Sequence, residues 1–359
     1  GAGDDTRGFA PPFWPNTQES AYFLGANRNK KSVALDIAKP EGQGIVHRLL
    51  EHCDVLVENF KVGALAKYGL AWEQLSPKHP RLIYCSITGF GQTGPYAPRP
   101  GYDALVQAMG GIMSLTGAPD GSPQKVGVPI ADLFAGLYGC IGLLAALNHR
   151  NATGQGQRID IGMLDTHVAW LANQGMNYLA TGENPARLGN QHPNIAPYQE
   201  FPTRDGYIIL AVGNDPTFER FCKAFGQEHL LRDERFATTP SRVANRQLVT
   251  DTLTPVMKGK TTAEWIEALE ALKIGCGPIN TLEQVFADPQ VKARGCVVEM
   301  PHASGETVKV IANPVRLSAT PPTYKSAPPM LGQHTAEVLG GLLGMGGAEI
   351  AALKEKGVA

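Results

Sequence analysis

A chain of 359 residues is long enough for two or three domains' worth of core, and its 32 basic and 33 acidic side chains leave a formal net charge of −1. Lys and Arg are scattered along it and not gathered on one segment, which excludes the basic footprint of a nucleic-acid or membrane-surface protein. Six cysteines form no C-x-x-C pair. Cys85 lies in an apolar strand run and Cys140 in an apolar helix, the pattern of reduced, buried thiols and not of a disulfide framework or zinc site. With no signal peptide visible in these residues, a reducing compartment is expected: the cytoplasm, or the mitochondrial matrix in a eukaryote.

In chain order, residues 1–30 read as irregular, with Pro11, Pro12 and Pro15 among Phe9, Phe13, Trp14, Tyr22 and Phe23. Aromatics in a loop need a core or a ligand to cover. Ser32–Asp36 reads as a short strand, and Pro40-Glu41-Gly42 opens a helix to about His52. Asp54–Glu58 is an apolar strand followed by Asn59-Phe60-Lys61, and Gly63 turns into a helix. Arg81–Thr88 is a third strand, ending in the glycine-rich run Gly89 to Pro95. Strand and helix alternating in this way predict an α/β fold with an open parallel sheet, and ligands bind beyond the carboxyl ends of such strands. Asn59, Phe60 and Lys61 follow one such end.

The chain is organised around Gly101–Asn148. A glycine- and proline-rich connection, Thr116–Pro129, leads to Asp132 at the mouth of a run that is apolar on every side from Leu133 to Leu147. Such a run predicts a helix in the middle of a large core, too short for a membrane span. Asp132 would cap that helix or sit in its first turn, where free N–H groups favour the ionised form. It is either a good cap or a desolvated carboxylate nucleophile; the local pattern does not decide. A strand over Gln157–Ile161 and a helix over Met163–Ala180 follow, then a polar, glycine-bearing loop, Gly182–Pro197. Beyond it, a hairpin and charged amphipathic helices (215–226, 261–273) read as an α+β module. A short strand pair near 297–310, a proline linker and a pair of helices over Thr335–Lys356 complete the chain. Three parts are therefore expected: 1–185, a large ligand-binding part; 198–305, a small α+β domain; and 306–359, a linker and terminal helices.

Nucleotide fingerprints, a Walker lysine, the G-x-S-x-G elbow and H-E-x-x-H are all missing, and the nine histidines never fall at metal-ligand spacing. Lys61 and Lys67 form a solvated face or hold phosphates as point charges. His192 is loop scaffold or lid. Tyr102, beside Asp103, packs or donates a hydrogen bond.

Five blocks, VENFKVGALAKYGL (57–70), RLIYCSITGFGQTGPY (81–96), GYDALVQAMGGIMSLTG (101–117), VGVPIADLFAGLYG (126–139) and LLGQHTAEVL (330–339), together resemble the class III coenzyme A transferases, a family that also includes the α-methylacyl-CoA racemases. The resemblance implies that Asp132 is the nucleophile. It puts CoA against Leu35, Asn59, Phe60, Lys61, Lys67 and the Gly101-Tyr102-Asp103 turn. It places Tyr22 near the acid substrate, and a shielding loop at Gly189–Asn194, with Gly189, Asn190 and His192. Arg28 or Arg187 could pair a second carboxylate. It also implies a Rossmann-like large domain formed by both chain ends, a smaller domain, and a ring-like homodimer in which each chain threads its partner. The family's opening strand and helix would precede Gly1. The reaction would move CoA from an acyl-CoA, succinyl-CoA by the closest blocks, to a small carboxylic acid. It would pass through aspartyl anhydride and thioester intermediates, with CoA as substrate, no resident cofactor and no metal. The alternatives are a 2-methylacyl-CoA racemase and a catalytically silent CoA-binding protein. Racemases carry histidine where this chain has Tyr102, and racemisation needs a base on each side of the α-carbon, so Tyr102 favours transfer.

Overall fold

The computed structural model describes residues 2–359. Its first helix, α1 (Ala21–Ala26), is capped by the Ser20 hydroxyl, which accepts from the Phe23 N–H. Leu24 of α1 packs against Met300, Val308 and Val310, far away in sequence. Ser32–Asp36 is extended but forms no strand. Its backbone donors go elsewhere: the Ser32 N–H to His334 Nδ1, Ala34 N–H to Thr335 Oγ1 and Asp36 N–H to the Val358 carbonyl. Once those groups are satisfied by the C-terminal segment, no ladder is needed. Helix α2 (Pro40–Leu50) starts on proline and buries Ile45 against Leu339, Ile350, Leu353 and Val358. The two chain ends thus share one small core.

Strand β1 (Val55–Glu58), a short helix α3 (Trp72–Leu75) and strand β2 (Ile83–Thr88) come next. Helices α4 (Asp103–Met109), α5 (Ile112–Leu115) and α6 (Ile130–Thr153) precede strand β3 (Arg158–Gly162). The strands are parallel in the order β1-β2-β3, with Cys85 aligned on Val57 and Ile159. Ile83 to Ser86 of the central strand are fully or almost fully buried, as strands covered on both faces are.

Helix α6 is longer than its apolar run and is not the centre of a core. Its small residues Ala131, Ala135, Gly139 and Ala146 face inward, where Gly139 lets the helix approach Ile87 of β2 closely, as Gly142 does Ile159 of β3. Its large residues Leu133, Leu137, Ile141 and Leu144 lie outward at 53%, 56%, 61% and 68% exposure. Cys140 shares that exposed side and Cys53 is exposed too, while Cys276 and Cys296 are half-buried, so only Cys85 and Cys222 of the six thiols are buried as expected. By length and composition α6 could cross a membrane. An apolar stripe of four large residues on one face also marks a protein contact surface.

The helix expected over 163–180 is broken into α7 (Met163–Ala169) and α8 (Ala172–Thr181), where Ala172 takes a φ of 45°. Strands β4 (Tyr198–Pro202), β5 (Tyr207–Ala211) and β6 (Gly275–Pro278) form an antiparallel sheet; β6 is an addition to the expected hairpin. Five helices cover it: α9 (Asp215–Ala224), α10 (Glu234–Ala237), α11 (Thr239–Ala244), α12 (Arg246–Met257) and α13 (Thr262–Ala271). Their shared core holds Phe201, Ile208, Leu210, Phe218, Phe221 and Trp265. Helices α14 (Leu282–Ala287) and α15 (Pro289–Ala293) lead to the hairpin β7 (Val297–Pro301) and β8 (Thr307–Ile311), the one that packs on α1. Helices α16 (Thr335–Leu343) and α17 (Gly347–Glu355) close the chain on α2.

Candidate functional site

The carboxyl ends of β1 and β2 open into a cavity of about 810 Å³, at the upper end of the range for small-molecule sites, about 300–1,000 Å³. Asn59, Phe60 and Lys61 line it from the end of β1, Gly101 and Tyr102 from the turn before α4, and Asp132 from α6. Six of the residues singled out in the sequence therefore meet around one space. A second cavity of about 270 Å³ shares Glu58, Lys61 and Val62 with the first and continues past Trp72, Tyr84 and Arg158, so an elongated ligand could occupy both.

Two glycines shape the near wall. Gly89 after β2 and Gly101 before α4 touch backbone to backbone, and a Cβ on either would collide with the other's Cα. No side chain fits between them, which sets where Tyr102 stands. Gly101→Ala is expected to push the turn away from the sheet and lower turnover about 100-fold, the cost of a misplacement of about 1 Å. Steady-state kinetics and a thermal melt check this, and a loss below about threefold would contradict it.

Asp132 stands in the first turn of α6, which has Pro129 as its N-cap residue, and its side chain is open to the cavity. The expected preference for the ionised form is outweighed. Desolvation by the surrounding walls, then the Asp103 carboxylate behind it, push the Asp132 pKa up to about 6. The group is still mostly ionised at neutral pH, but more basic than an ordinary carboxylate. A nucleophile must be deprotonated, so kcat/KM for the thioester is expected to rise with pH through about 6 and then level off. A midpoint near 4, the ordinary carboxylate value, would contradict this reading. Tyr22 lies in the field of the same pair: desolvation first, then Asp132 and Asp103, raise its hydroxyl pKa.

Other residues singled out in the sequence lie elsewhere. Asp103 does not line the cavity, because one of its oxygens accepts from the Ala131 N–H (2.8 Å) and the other from Gln107 Nε2 (2.7 Å). Leu35 is half-buried in the core between α2 and the terminal helices. Lys67 projects over the Tyr68 ring, 4.6 Å from its centroid, outside both cavities. Arg28 stands over the ring of Tyr324. Arg187 donates to the carbonyls of Ala118 and Gly121 and lines neither cavity.

The Gly189–Asn194 loop does not reach Asp132 within this chain. Gly189 donates to the Gly117 carbonyl, and His192 stacks on Tyr198 while Arg246 donates to the His192 carbonyl. Asn190 belongs to the same docked loop and lines neither cavity. The first turn of α6 offers few free donors either, since the Ile130, Ala131 and Leu133 N–H groups are taken by Val128, Asp103 and Pro129.

Residues 1–335 match the family model described as CoA-transferase family III. The chain belongs to that family. It is 47% identical over 341 residues to a succinate–glutarate CoA-transferase of Agrobacterium fabrum, covering 94% of this chain and 85% of that protein. It is 43% identical over 339 residues to a succinyl-CoA:glutarate CoA-transferase of Mus musculus, covering 94% of this chain and 77% of that one. Its structure superposes on a crystal structure of a CAIB/BAIF family protein from Brucella suis with a TM-score of 0.82 and 47% identity, covering 94% and 89% of the two chains. The protein is a CoA-transferase, and its substrates are CoA thioesters. The transferase cavity also holds Asp5, Glu58, Thr88 and Arg99, which sequence reasoning passed over. Glu58 accepts from the Phe60 N–H and so orients the Asn59-Phe60-Lys61 turn. Arg99 lies 3.9 Å over the Tyr96 ring. Its place two residues before the Gly101-Tyr102-Asp103 turn was the available signal.

Proposed function

We propose that this CoA-transferase moves CoA from succinyl-CoA to a dicarboxylic acid of the glutarate type, with Asp132 as nucleophile. The reading is carried by one observation: a carboxylate of raised basicity opens onto the cavity at the strand ends. The substrate class is supported by the relatives named for succinate and glutarate. Lys61 and Arg99 bring positive charge to the lining, which suits the phosphates of CoA and the second carboxylate of such an acid.

The chemistry is a chain of acyl exchanges. An Asp132 oxygen bonds to the thioester carbon, the C–S bond breaks, and CoA leaves as thiolate with the electron pair, leaving an aspartyl–succinyl anhydride. The thiolate attacks the aspartyl carbonyl and expels succinate, giving an aspartyl-CoA thioester. The acceptor carboxylate attacks that carbonyl and releases thiolate again, forming the second anhydride. Attack of the thiolate on the acceptor's carbonyl yields the new acyl-CoA and frees Asp132. Thioester energy is kept in covalent bonds throughout, and bound substrate filling the cavity keeps water from each anhydride.

The parts 1–185, 198–305 and 306–359 are proposed as large domain, small domain and returning segment, in an interlocked homodimer. Leu133, Leu137, Ile141 and Leu144 supply an apolar face for the partner copy. A screen of free acids against succinyl-CoA tests the substrate reading. Glutarate-like diacids are expected to exceed monoacids of the same length by about 10-fold or more in kcat/KM, the worth of one charge-assisted pair. Equal rates for both would contradict it. Deuterium appearing at the α-carbon of a 2-methylacyl-CoA incubated in heavy water would instead mark a racemase.

A further inference from the structure

Gln107 on α4 is completely buried, and its amide is fully used. Its Nε2 donates to Asp103 Oδ2 at 2.7 Å and, more weakly, to the Val128 carbonyl at 3.4 Å, while its Oε1 accepts from the Val126 N–H at 2.8 Å. The other oxygen of Asp103 accepts from the Ala131 N–H, one residue before Asp132. Asp103 and Gln107 are four apart on one helix and so share a face. Together they stitch α4, the connection at 126–128 and the start of α6 to one another.

A neutral cap such as Asn or Ser could accept the same N–H bond. A carboxylate does more, because it places a second negative charge behind the group that must react. We propose that Asp103, oriented by Gln107, is a positioning residue that fixes the start of α6 and charges the ground state of the Asp132 nucleophile. The proposal rests on the reading of Asp132 as that nucleophile. When an Asp132 oxygen bonds to the thioester carbon, its negative charge departs with the CoA thiolate. The repulsion from Asp103 is therefore present before the step and relieved during it. An interaction that is unfavourable in the ground state and weaker in the transition state lowers the barrier.

The raised pKa of Asp132 agrees, with Asp103 as its charged cause. Other titratable groups surround the pair. Tyr22 faces it from α1, and His167 of α7 lies buried within the field of Asp103. Glu58, Lys61 and Arg99 line the cavity, as does Asp5. None of these is a charged cause of the Asp132 shift.

Asp103→Asn tests the idea, because Asn keeps the acceptor for Ala131 and loses the charge. Single-turnover acylation by succinyl-CoA is measured across about pH 5–8, with the adduct mapped by peptide mass. The half-maximal pH is expected to move acidward by about half a unit or more, and the plateau rate to fall about 3- to 10-fold, with KM within about twofold of wild type. The new amide would face Gln107 Nε2 donor to donor, so Asp103→Asn combined with Gln107→Glu restores the bond between the two side chains and the one from Val126, giving up only the weak bond to Val128, with the charge moved one side chain away. That double variant is expected to fold and to show the same acidward shift. An unmoved profile with the adduct still on Asp132 overturns this proposal alone. A raised KM with an unmoved profile does the same, by making Asp103 a CoA contact. An adduct on another residue overturns the reading of Asp132 itself.

Discussion

Asp132→Ala loses CoA exchange by about 10⁴-fold or more, roughly 5 kcal/mol of transition-state stabilisation, while the protein stays folded. The loss is large because neither Tyr22 nor Asp103, the titratable groups coupled to this carboxylate, can take over. Tyr22, the hydroxyl in the field of this pair, is pushed further from ionisation by desolvation first and then by the carboxylates, and Asp103 has both oxygens engaged. Stability follows from the sign of the shift. A carboxyl whose pKa is raised by folding contributes stability below its unfolded value, near 3.8, and that contribution is lost as pH rises through about 6. At pH 8 the ionised side chain is therefore a net cost, reduced because water reaches it through the cavity. The alanine variant, and the closer mimic Asp132→Asn, should melt no lower than wild type at that pH. A variant that lost activity only by unfolding would show a depressed melting temperature.

Arg242→Ala is expected to lower unfolding stability by about 3–5 kcal/mol, the cost of orphaning two buried carbonyls and emptying the space of a large buried side chain, since Asp215 itself is half exposed. Arg242 is fully buried on α11, and its guanidinium holds four groups: the carbonyls of Ala196 and Phe236, the Asp215 carboxylate and the Thr239 hydroxyl, all within 2.9 Å. It also lies 4.3 Å over the Phe218 ring. Truncation leaves two carbonyls without their donor and a void in the core of the small sheet. Arg242→Lys should rescue little, because a single ammonium cannot reproduce the planar fork. The pH dependence has a definite sign. Hydrogen bonding to Arg242 holds the Asp215 pKa below the usual carboxylate range, so the pair stabilises above the unfolded pKa and loses that effect as pH falls. The gap between wild type and Arg242→Ala should therefore narrow in acid. Urea unfolding at two pH values measures it, and a gap under about 1 kcal/mol at neutral pH would contradict the account.

Neither the burial nor the partners of Arg242 were legible in TPSRVANR, because Ala196, Asp215 and Phe236 reach it from outside that stretch. The parallel strands were legible, because strands covered on both faces leave mainly apolar runs such as Ile83–Ile87, here between a proline-bearing loop and a glycine-rich turn. Asp132 at a helix mouth was legible too, from the switch between a proline-rich connection and an apolar run. The packing of α6 was misread from hydrophobicity alone. Residue size held the answer: small residues at 131, 135, 139 and 146 mark the side against the sheet, and Leu133, Leu137, Ile141 and Leu144 the side away from it. Ser32–Asp36 had the composition of a strand, but its donors found the C-terminal segment first. Asp103 was read as a ligand contact because the resemblance takes the Gly101-Tyr102-Asp103 turn as one unit, of which only Gly101 and Tyr102 line the cavity. Its hydrogen bonds to Ala131 and Gln107 depend on tertiary contacts that no local pattern records.

The covalent role of Asp132 is tested most directly with an acceptor acid labelled with heavy oxygen in its carboxylates. When the acceptor attacks the aspartyl-CoA thioester, its own oxygen becomes the bridge of the anhydride. Thiolate attack on the acceptor's carbonyl then leaves that oxygen on the enzyme. After turnover with succinyl-CoA, the peptide containing Asp132 is expected to carry heavy oxygen, and no other peptide should. Turnover that leaves the Asp132 peptide unlabelled would contradict the account.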